Sequence, residues 1–423
     1  MNRAFYDNER EIDLTEQRNL HRREKKVIWA RVGIFLAIIL SAVASIELNQ
    51  DHGYLGAIVL LMIFVRLVSY HREIKSRQKF LTSRLNVLNS YIEIGRASCR
   101  ERVYLKNDRP QDTDLYIFGA GSIFQYICAA RTKRGRDRLA EALSPEPPHF
   151  SKVRVRQRGV AEILQRPRLS LDLEAYARLM PNNHDTTALI DSVEDNLAQS
   201  DKILYLRFLP IPLLLLTSFL AYRNFISPII VATLPIIFLS ITFAMYNKIS
   251  ELLKPLQKFS KELKLYQAIF ERLESTDFNS TSLRAVKTAL TDEVSAAEKL
   301  KLLALLARIL SARRNPVFYI LGNAIFLLDF FCAAAFLSWR KTASKHLLKW
   351  IDSWSEVEVL ISLASIGQTR TTYCFPTLLE GVEPRISAKN LSSLLIADKN
   401  AVANDIELNA GTTIITGANM SGK

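Results

Sequence analysis

The residues with the clearest chemical capacity form a glycine-rich loop, GANMSGK, at positions 417–423. The loop matches the opening positions of the GxxxxGK[ST] phosphate-binding pattern. Glycines at this spacing let successive backbone N–H groups point at phosphate oxygens, and the lysine then reaches the β- and γ-phosphates. The pattern predicts a nucleotide site with ATP and Mg²⁺ as cofactors, and its residues are Gly417, Ala418, Asn419, Met420, Ser421, Gly422 and Lys423.

A strand must deliver the chain to such a loop. The stretch from Thr412 to Thr416 reads TTIIT, a β-branched run that lies between Gly411 and Gly417. β-branched residues bounded by glycines are typical of a short strand. We therefore predict that this strand runs directly into the loop.

The loop and its flanks resemble the MutS family of DNA mismatch-repair ATPases. The family's loop reads TGPNMxGK, and this chain has TGANMSGK from Thr416 to Lys423. The segment NDIEL, Asn404 to Leu408, resembles the approach to the family's first ATPase strand, and residues 117–143 resemble the start of its helical core. The likeness covers residues 114–200 and 249–423. More narrowly, the chain resembles the membrane-anchored MutS-related subgroup.

The resemblance implies a DNA-dependent ATPase, related to mismatch repair, that forms a homodimer through its ATPase domain. The chain departs from the family's pattern in three places. Ala418 replaces the usual proline, which changes loop stiffness mildly, and Ser392 and Ser393 stand where His-Pro is common, which weakens the assignment of a nucleotide contact there. Membrane-type segments occupy the place of a mismatch-reading domain, so these residues do not support mismatch recognition. The alternative is a nucleotide-switched membrane scaffold without mismatch recognition.

Charge and hydropathy together favour a membrane protein with basic aqueous domains. The chain carries 56 Lys and Arg and a net charge of +14, yet its mean hydropathy is +0.07. Long apolar segments that alternate with basic ones reconcile these values. A length of 423 residues with only 4 cysteines excludes a small disulfide scaffold.

Two apolar hairpins are predicted to cross the membrane, at residues 28–71 and 204–247. Each contains two uncharged runs, which are Val32 to Ile46 and Tyr54 to Val65 in the first, and Phe208 to Tyr222 and Phe225 to Tyr246 in the second. Lysines and arginines flank both hairpins, so by the positive-inside rule both chain ends are cytoplasmic. We expect a multi-pass protein of the inner or plasma membrane, with residues 48–53 and the turn at Arg223 outside.

A fifth apolar stretch runs from Asn315 to Trp339 and contains Asn323 and Asp329. A carboxylate at mid-bilayer costs about 2.5–3.5 kcal/mol on insertion scales. A buried soluble helix is therefore favoured over a fifth span. A fifth span would also place everything after it on the side of the membrane away from ATP.

The predicted fold class is mainly α, with a MutS-like helical core and lever and the first part of a C-terminal α/β P-loop ATPase domain. Residues 93–103 resemble a translated sequencing adapter and are predicted to contribute nothing to the fold. The alternative interpretation of these residues is a basic solvated loop. The predicted units are a basic cytoplasmic N-terminus (1–27), hairpin 1 (28–71), a linker (72–113), the first part of the helical core (114–203), hairpin 2 (204–247), the second part of the core and lever (248–369) and the start of the ATPase domain (370–423).

Neither the cysteines nor the basic cluster adds a second chemical site. The cysteines, at positions 99, 128, 332 and 374, have no metal-type spacing, which favours a reducing compartment. The segment from Arg131 to Arg138 could contact phosphate, but a solvated face is the favoured interpretation. No metal ligand is therefore assigned.

We expect no measurable ATP hydrolysis by these 423 residues. The Mg²⁺-binding Ser/Thr and the Walker B acid of the family would follow Lys423, and a terminal α-carboxylate would place negative charge where phosphates should lie. A chain extended through these elements should hydrolyse ATP slowly, and Lys423→Ala should abolish that turnover. ATPase assays of the three proteins in one detergent test this, and turnover by the 423-residue chain would contradict it.

Overall fold

The computed structural model describes residues 2–48, 52–92, 112, 114–143, 150–181, 190, 207–313, 315–370, 372–380, 383–396, 400–414 and 416. The chain is mainly helical, as the sequence predicts. Residues 93–103 lie outside the described residues. The helices are α1 (Asn2–Leu48), α2 (His52–Ile92), α3 (Ile123–Ile127), α4 (Lys133–Leu143), α5 (Phe150–Leu164), α6 (Pro167–Arg178), α7 (Pro210–Tyr222), α8 (Pro228–Lys258), α9 (Ser260–Glu274), α10 (Thr281–Thr291), α11 (Ala296–Ala312), α12 (Pro316–Phe326) and α13 (Leu328–Thr369).

Helices α1 and α2 form one long antiparallel hairpin. The rings of Tyr6 and Tyr91 stack at 5.4 Å near its base, and those of Phe35 and Phe64 lie 6.2 Å apart further out. The outer half carries exposed apolar side chains such as Leu40. Both helices continue across the predicted boundaries at residues 27 and 71, because no glycine or proline interrupts backbone hydrogen bonding there.

Helix α13 is the centre of the remaining helical body. It is 42 residues long, and its tryptophans Trp339, Trp350 and Trp354 are almost completely buried. Helices α4, α5, α8, α10 and α11 all pack against it. The predicted helical character of residues 254–314 is confirmed by α9, α10 and α11, whose apolar faces close this core at 3.6-residue spacing.

Two described helical segments are long and apolar enough to cross a membrane, Ala4–Ser45 and Pro228–Lys258. Helix α7 is apolar but shorter, and α12 with α13 counts as a third span only if that bent pair is taken as one. Helices α7, α8 and α12 pack against one another. They expose large apolar side chains, including Leu215, Phe219, Ile236, Phe243, Val317 and Leu321.

The stretch from Asn315 to Trp339 is not one buried helix. It breaks at Leu327, which has a left-handed backbone (φ 47°, ψ 50°), and α12 meets α13 at 77°. The half within α13 is buried, as predicted, but the half within α12 is largely exposed, with Val317 64% accessible. The side-chain Oδ1 of Asn323 accepts the N–H of Asp329 at 3.0 Å. This bond satisfies a free donor in the first turn of α13 and so favours the break.

The described strands form a single antiparallel pair. Strand β1 (Ile386–Leu391) pairs with β2 (Asn404–Leu408), and Ile386 lies opposite Leu408. The pairing becomes irregular between Ala388 and Leu391. Both strands are mostly exposed, so this pair lies on the surface of the helical body.

Candidate functional site

The predicted phosphate loop, Gly417 to Lys423, lies outside the described residues. Of the stretch that precedes it, Thr412, Thr413 and Ile414 are exposed and form no strand, so the predicted TTIIT strand is wrong for these three residues. A strand requires a partner for its ladder hydrogen bonds. Among the described residues, the only paired strands are β1 and β2, and neither pairs with this stretch.

The residue that follows α13 binds the chain segment that leads toward the predicted phosphate loop. Arg370, the residue after α13, donates from Nη2 to the carbonyl oxygens of Leu394 and Ile396 at 2.7 and 2.9 Å. Its guanidinium also lies 5.8 Å from the ring centroid of Tyr126 in α3. One arginine therefore connects the central helix, the body and the segment between β1 and β2.

A buried carboxylate on α13 organises the start of α4. Glu358 accepts hydrogen bonds from the backbone N–H groups of Arg131 and Thr132 at 2.8 and 3.1 Å, and from the hydroxyl of Thr132. Position 135 is a glycine because a Cβ there would lie 2.1 Å from Oε2 of Glu358. Complete burial raises the pKa of Glu358 to about 7, although the hydrogen bonds from Thr132 and Arg131 work in the opposite direction.

The basic cluster from Arg131 to Arg138 is not the solvated face that the sequence favoured. Arg134 is ion-paired with Asp352 of α13, and Arg138 lies 3.3 Å from the same carboxylate. Arg136 is buried and donates to the carbonyl of Arg131 at 3.0 Å. Asp352 and Glu356 of α13 thus hold Arg134 and Arg138 against the helical body in ion pairs that are about one third exposed.

A second buried charge cluster fixes the base of the α1–α2 hairpin. Arg84 of α2 donates to Asp172 at 2.9 Å, to Asp13 at 2.5 Å and to Glu9 at 2.6 Å. Glu9 also accepts from Arg168 at 2.8 Å. The cluster thereby connects α1, α2 and α6 through one guanidinium.

The two α1 carboxylates of this cluster respond differently to burial. Burial outweighs the attraction of Arg84 and raises the pKa of Asp13, whose Oδ2 has no hydrogen-bond partner. Burial also acts to raise the pKa of Glu9, but hydrogen bonds from Arg84 and Arg168 outweigh it and lower that pKa. A second arginine accounts for the difference.

A cleft of about 630 Å³ opens beside this cluster, with Arg77, Arg84 and Tyr176 among its lining residues. These two arginines and Arg272, which also lines the cleft, are ion-paired with carboxylates of α1 and α6. The cleft therefore offers no unpaired arginine to a ligand, and we assign the cluster a structural role.

Within the described residues, no group of three or more His, Cys, Asp or Glu side chains is arranged to hold a metal ion. Cys128 and Cys332 are buried, and Cys374 is exposed.

The sequence contained signals for both buried clusters. Glu358 interrupts the apolar run VEVLISL, where a solvated acid would be out of place on a buried face. Glu9 and Asp13 lie four residues apart, so they share one face of α1. Their common partner Arg84 is 71 residues beyond Asp13, which only the folded hairpin brings close.

No protein-family model, curated protein or solved structure matches this chain.

Replacing Arg84 with methionine should destabilise the protein by about 3–5 kcal/mol, because Glu9, Asp13 and Asp172 would be left as poorly compensated buried charges. Arg77→Met is the matched control on the same helix. Arg77 pairs with Glu16 in a more exposed setting, so its loss should cost at most about 1 kcal/mol. Denaturant unfolding in detergent measures both, and equal losses would contradict the assignment.

Glu358 should make stability depend on pH. Its folded-state pKa of about 7 lies above the ordinary value of 4.5, so the folded state binds the proton more tightly. Its stabilising contribution is present below about pH 4.5 and is lost as the pH rises through 7. Relative to Glu358→Gln, the wild type should lose stability across this interval.

The measurement is the difference in unfolding free energy between wild type and variant at several pH values. Glu356→Gln, two residues earlier and partly exposed, controls for loss of a carboxylate from α13. Parallel pH curves for wild type and Glu358→Gln would show that Glu358 is not the titrating group.

Proposed function

We propose that this protein is a membrane-anchored, MutS-like ATP-binding protein whose helical body faces the cytoplasm. Helices α1, α2 and α8, together with the uncharged run Phe208 to Tyr222 that contains the shorter helix α7, form two membrane hairpins in this proposal. Their exposed apolar side chains support it, because such surfaces are unfavourable in water and favourable in lipid. The basic residues that flank both hairpins support the orientation.

One observation carries the nucleotide part of the proposal. Helix α13 runs without a break from Leu328, beside the apolar helix α12, to Thr369. At a rise of 1.5 Å per residue it is about 63 Å long. Arg370, at its far end, binds the carbonyls of the segment between the two strands. A single helix thus connects the apolar side of the molecule to the chain that leads into the phosphate loop.

In this proposal, ATP binds with Mg²⁺ at Gly417 to Lys423, and α13 carries the resulting change toward the membrane. The loop pattern supports the phosphate contacts. The resemblance to MutS supports ATP hydrolysis and a homodimer formed through the ATPase domain.

DNA is the proposed partner of the cytoplasmic body, and its contacts are with backbone phosphates in any sequence. One observation favours the alternative, a nucleotide-switched scaffold that binds protein instead. The basic cluster from Arg131 to Arg138 is largely committed to Asp352, Glu356 and backbone groups. Arginines that are already paired gain less from a phosphate than free ones do.

Cysteine labelling in intact cells tests the anchoring. In a cysteine-free background, Asn404→Cys should resist a membrane-impermeant reagent, because β2 is proposed to be cytoplasmic. Arg223→Cys is the matched control, since it lies in the turn between α7 and α8 and should be labelled. Labelling at Asn404 would contradict the orientation.

Binding to duplex DNA tests the partner. We expect affinity to fall steeply with salt, because phosphate neutralisation releases counterions. Matched and mismatched duplexes should bind within a few-fold of each other. Titration of the protein in nanodiscs at two salt concentrations measures both effects, and empty nanodiscs are the control. Absence of binding at low salt would favour the scaffold, and a strong mismatch preference would contradict both proposals.

A further inference from the structure

Helix α12 has the surface of a lipid-facing helix without the length of a span. Its 11 residues, Pro316–Phe326, extend about 16 Å. The hydrocarbon core of a bilayer is about 30 Å thick. Its exposed side chains are apolar, and they are Val317, Phe318, Ile320, Leu321, Ile325 and Phe326.

The apolar surface of α12 is continuous with that of the proposed spans. Helix α12 packs against both α7 and α8. The rings of Tyr319 in α12 and Phe243 in α8 meet edge to face at 6.4 Å. Phe243 is itself 63% exposed and lies near the end of the uncharged part of α8. The medium that surrounds the exposed face of α8 therefore also contacts the exposed face of α12.

The helix that follows α12 cannot complete a crossing. Phe330, Cys332 and Phe336 are buried in the protein core, and Phe331 is the one large apolar side chain that the first three turns of α13 expose, so this part of α13 presents little apolar surface to lipid. By Trp339, the indole N–H donates to the carbonyl of Lys299 in α11 at 3.0 Å. About three turns after the break at Leu327, helix α13 therefore already contacts the basic helix α11 of the helical body.

An ion pair joins the residues that flank the two ends of α12. Arg313, just before α12, donates from Nε to Asp329, just after it, at 2.8 Å. The guanidinium also lies 6.0 Å from the ring of Tyr246 and 5.7 Å from the ring of Tyr319. Arginine with tyrosine is typical of the membrane–water interface. An ion pair between the residues that flank α12, beside two tyrosines, favours entry and exit of the chain on the same side of the membrane.

We propose that α12 inserts into one leaflet of a phospholipid bilayer, from the side of the helical body, and does not cross it. Its partner is the acyl-chain region of the lipid. The inference rests on the proposed membrane anchoring through α8, and it adds a third lipid contact, located at the beginning of α13. Any movement of α13 would then act on this membrane-embedded helix.

Fluorescence quenching in proteoliposomes tests the lipid contact. In the full chain with its native cysteines replaced, a bimane probe is attached at Leu321→Cys, Ile236→Cys or Leu348→Cys, and the lipid is phosphatidylcholine with brominated acyl chains. Ile236 in α8 reports the anchoring itself. Leu348 in α13 is the aqueous control, an exposed leucine of the body. Quenching at Leu321 should match that at Ile236 within about two-fold and be absent at Leu348.

The side of the membrane is tested with a second matched pair. Leu305 in α11 and Leu348 in α13 are both 41% exposed, and they lie before and after α12. In sealed vesicles, an impermeant maleimide should label cysteines at these two positions from the same side. Labelling from opposite sides would show that the bent pair is a span.

The outcomes separate the two proposals. Quenching at Ile236 without quenching at Leu321 would overturn the lipid contact of α12 and leave the anchoring intact. In that case, protection of Leu321 by a second copy or a protein partner would explain its apolar surface. Absence of quenching at both positions would overturn the anchoring, and the insertion of α12 with it.

Discussion

The rest of the structure depends on the burial of α13. Helices α4, α5, α8, α10 and α11, among others, pack around it, and its three tryptophans and apolar residues such as Leu360 are removed from water along most of its length. Burial of large apolar side chains is the main favourable term in folding. Because one continuous helix supplies this surface, it joins the ion pair at Asp329, near its start, to Arg370, directly after its end.

Buried charge is the second constraint, and the chain meets it by giving nearly every interior carboxylate a partner. Glu358 receives backbone and hydroxyl donors from the start of α4, and Asp329 receives Arg313 and the backbone bond that orders the break at Leu327. An unpaired buried charge costs several kcal/mol, so these contacts restrict how the helices can be arranged. They specify geometry more than they add stability.

The distribution of exposed apolar side chains divides the molecule into two environments. The outer half of the α1–α2 hairpin and the group α7, α8 and α12 expose leucines, isoleucines and phenylalanines, whereas the other helices around α13 bury most of theirs. A pattern of this kind is expected where a protein meets lipid on one side and water on the other.

The sequence alone determined the helical elements and the apolar stretches. Periodic apolar residues predicted the helices between 254 and 314, and runs such as Val32 to Ile46 marked the lipid-type surfaces, because both signals are local. The loop at Gly417 to Lys423 is likewise a local pattern, and it stays a prediction. Only the tertiary structure decided the partners of Arg84, the inward-facing basic cluster and the split of residues 315–339 at Leu327. Each of these depends on residues distant in sequence, or on competition between a buried charge and its surroundings, which periodicity does not encode.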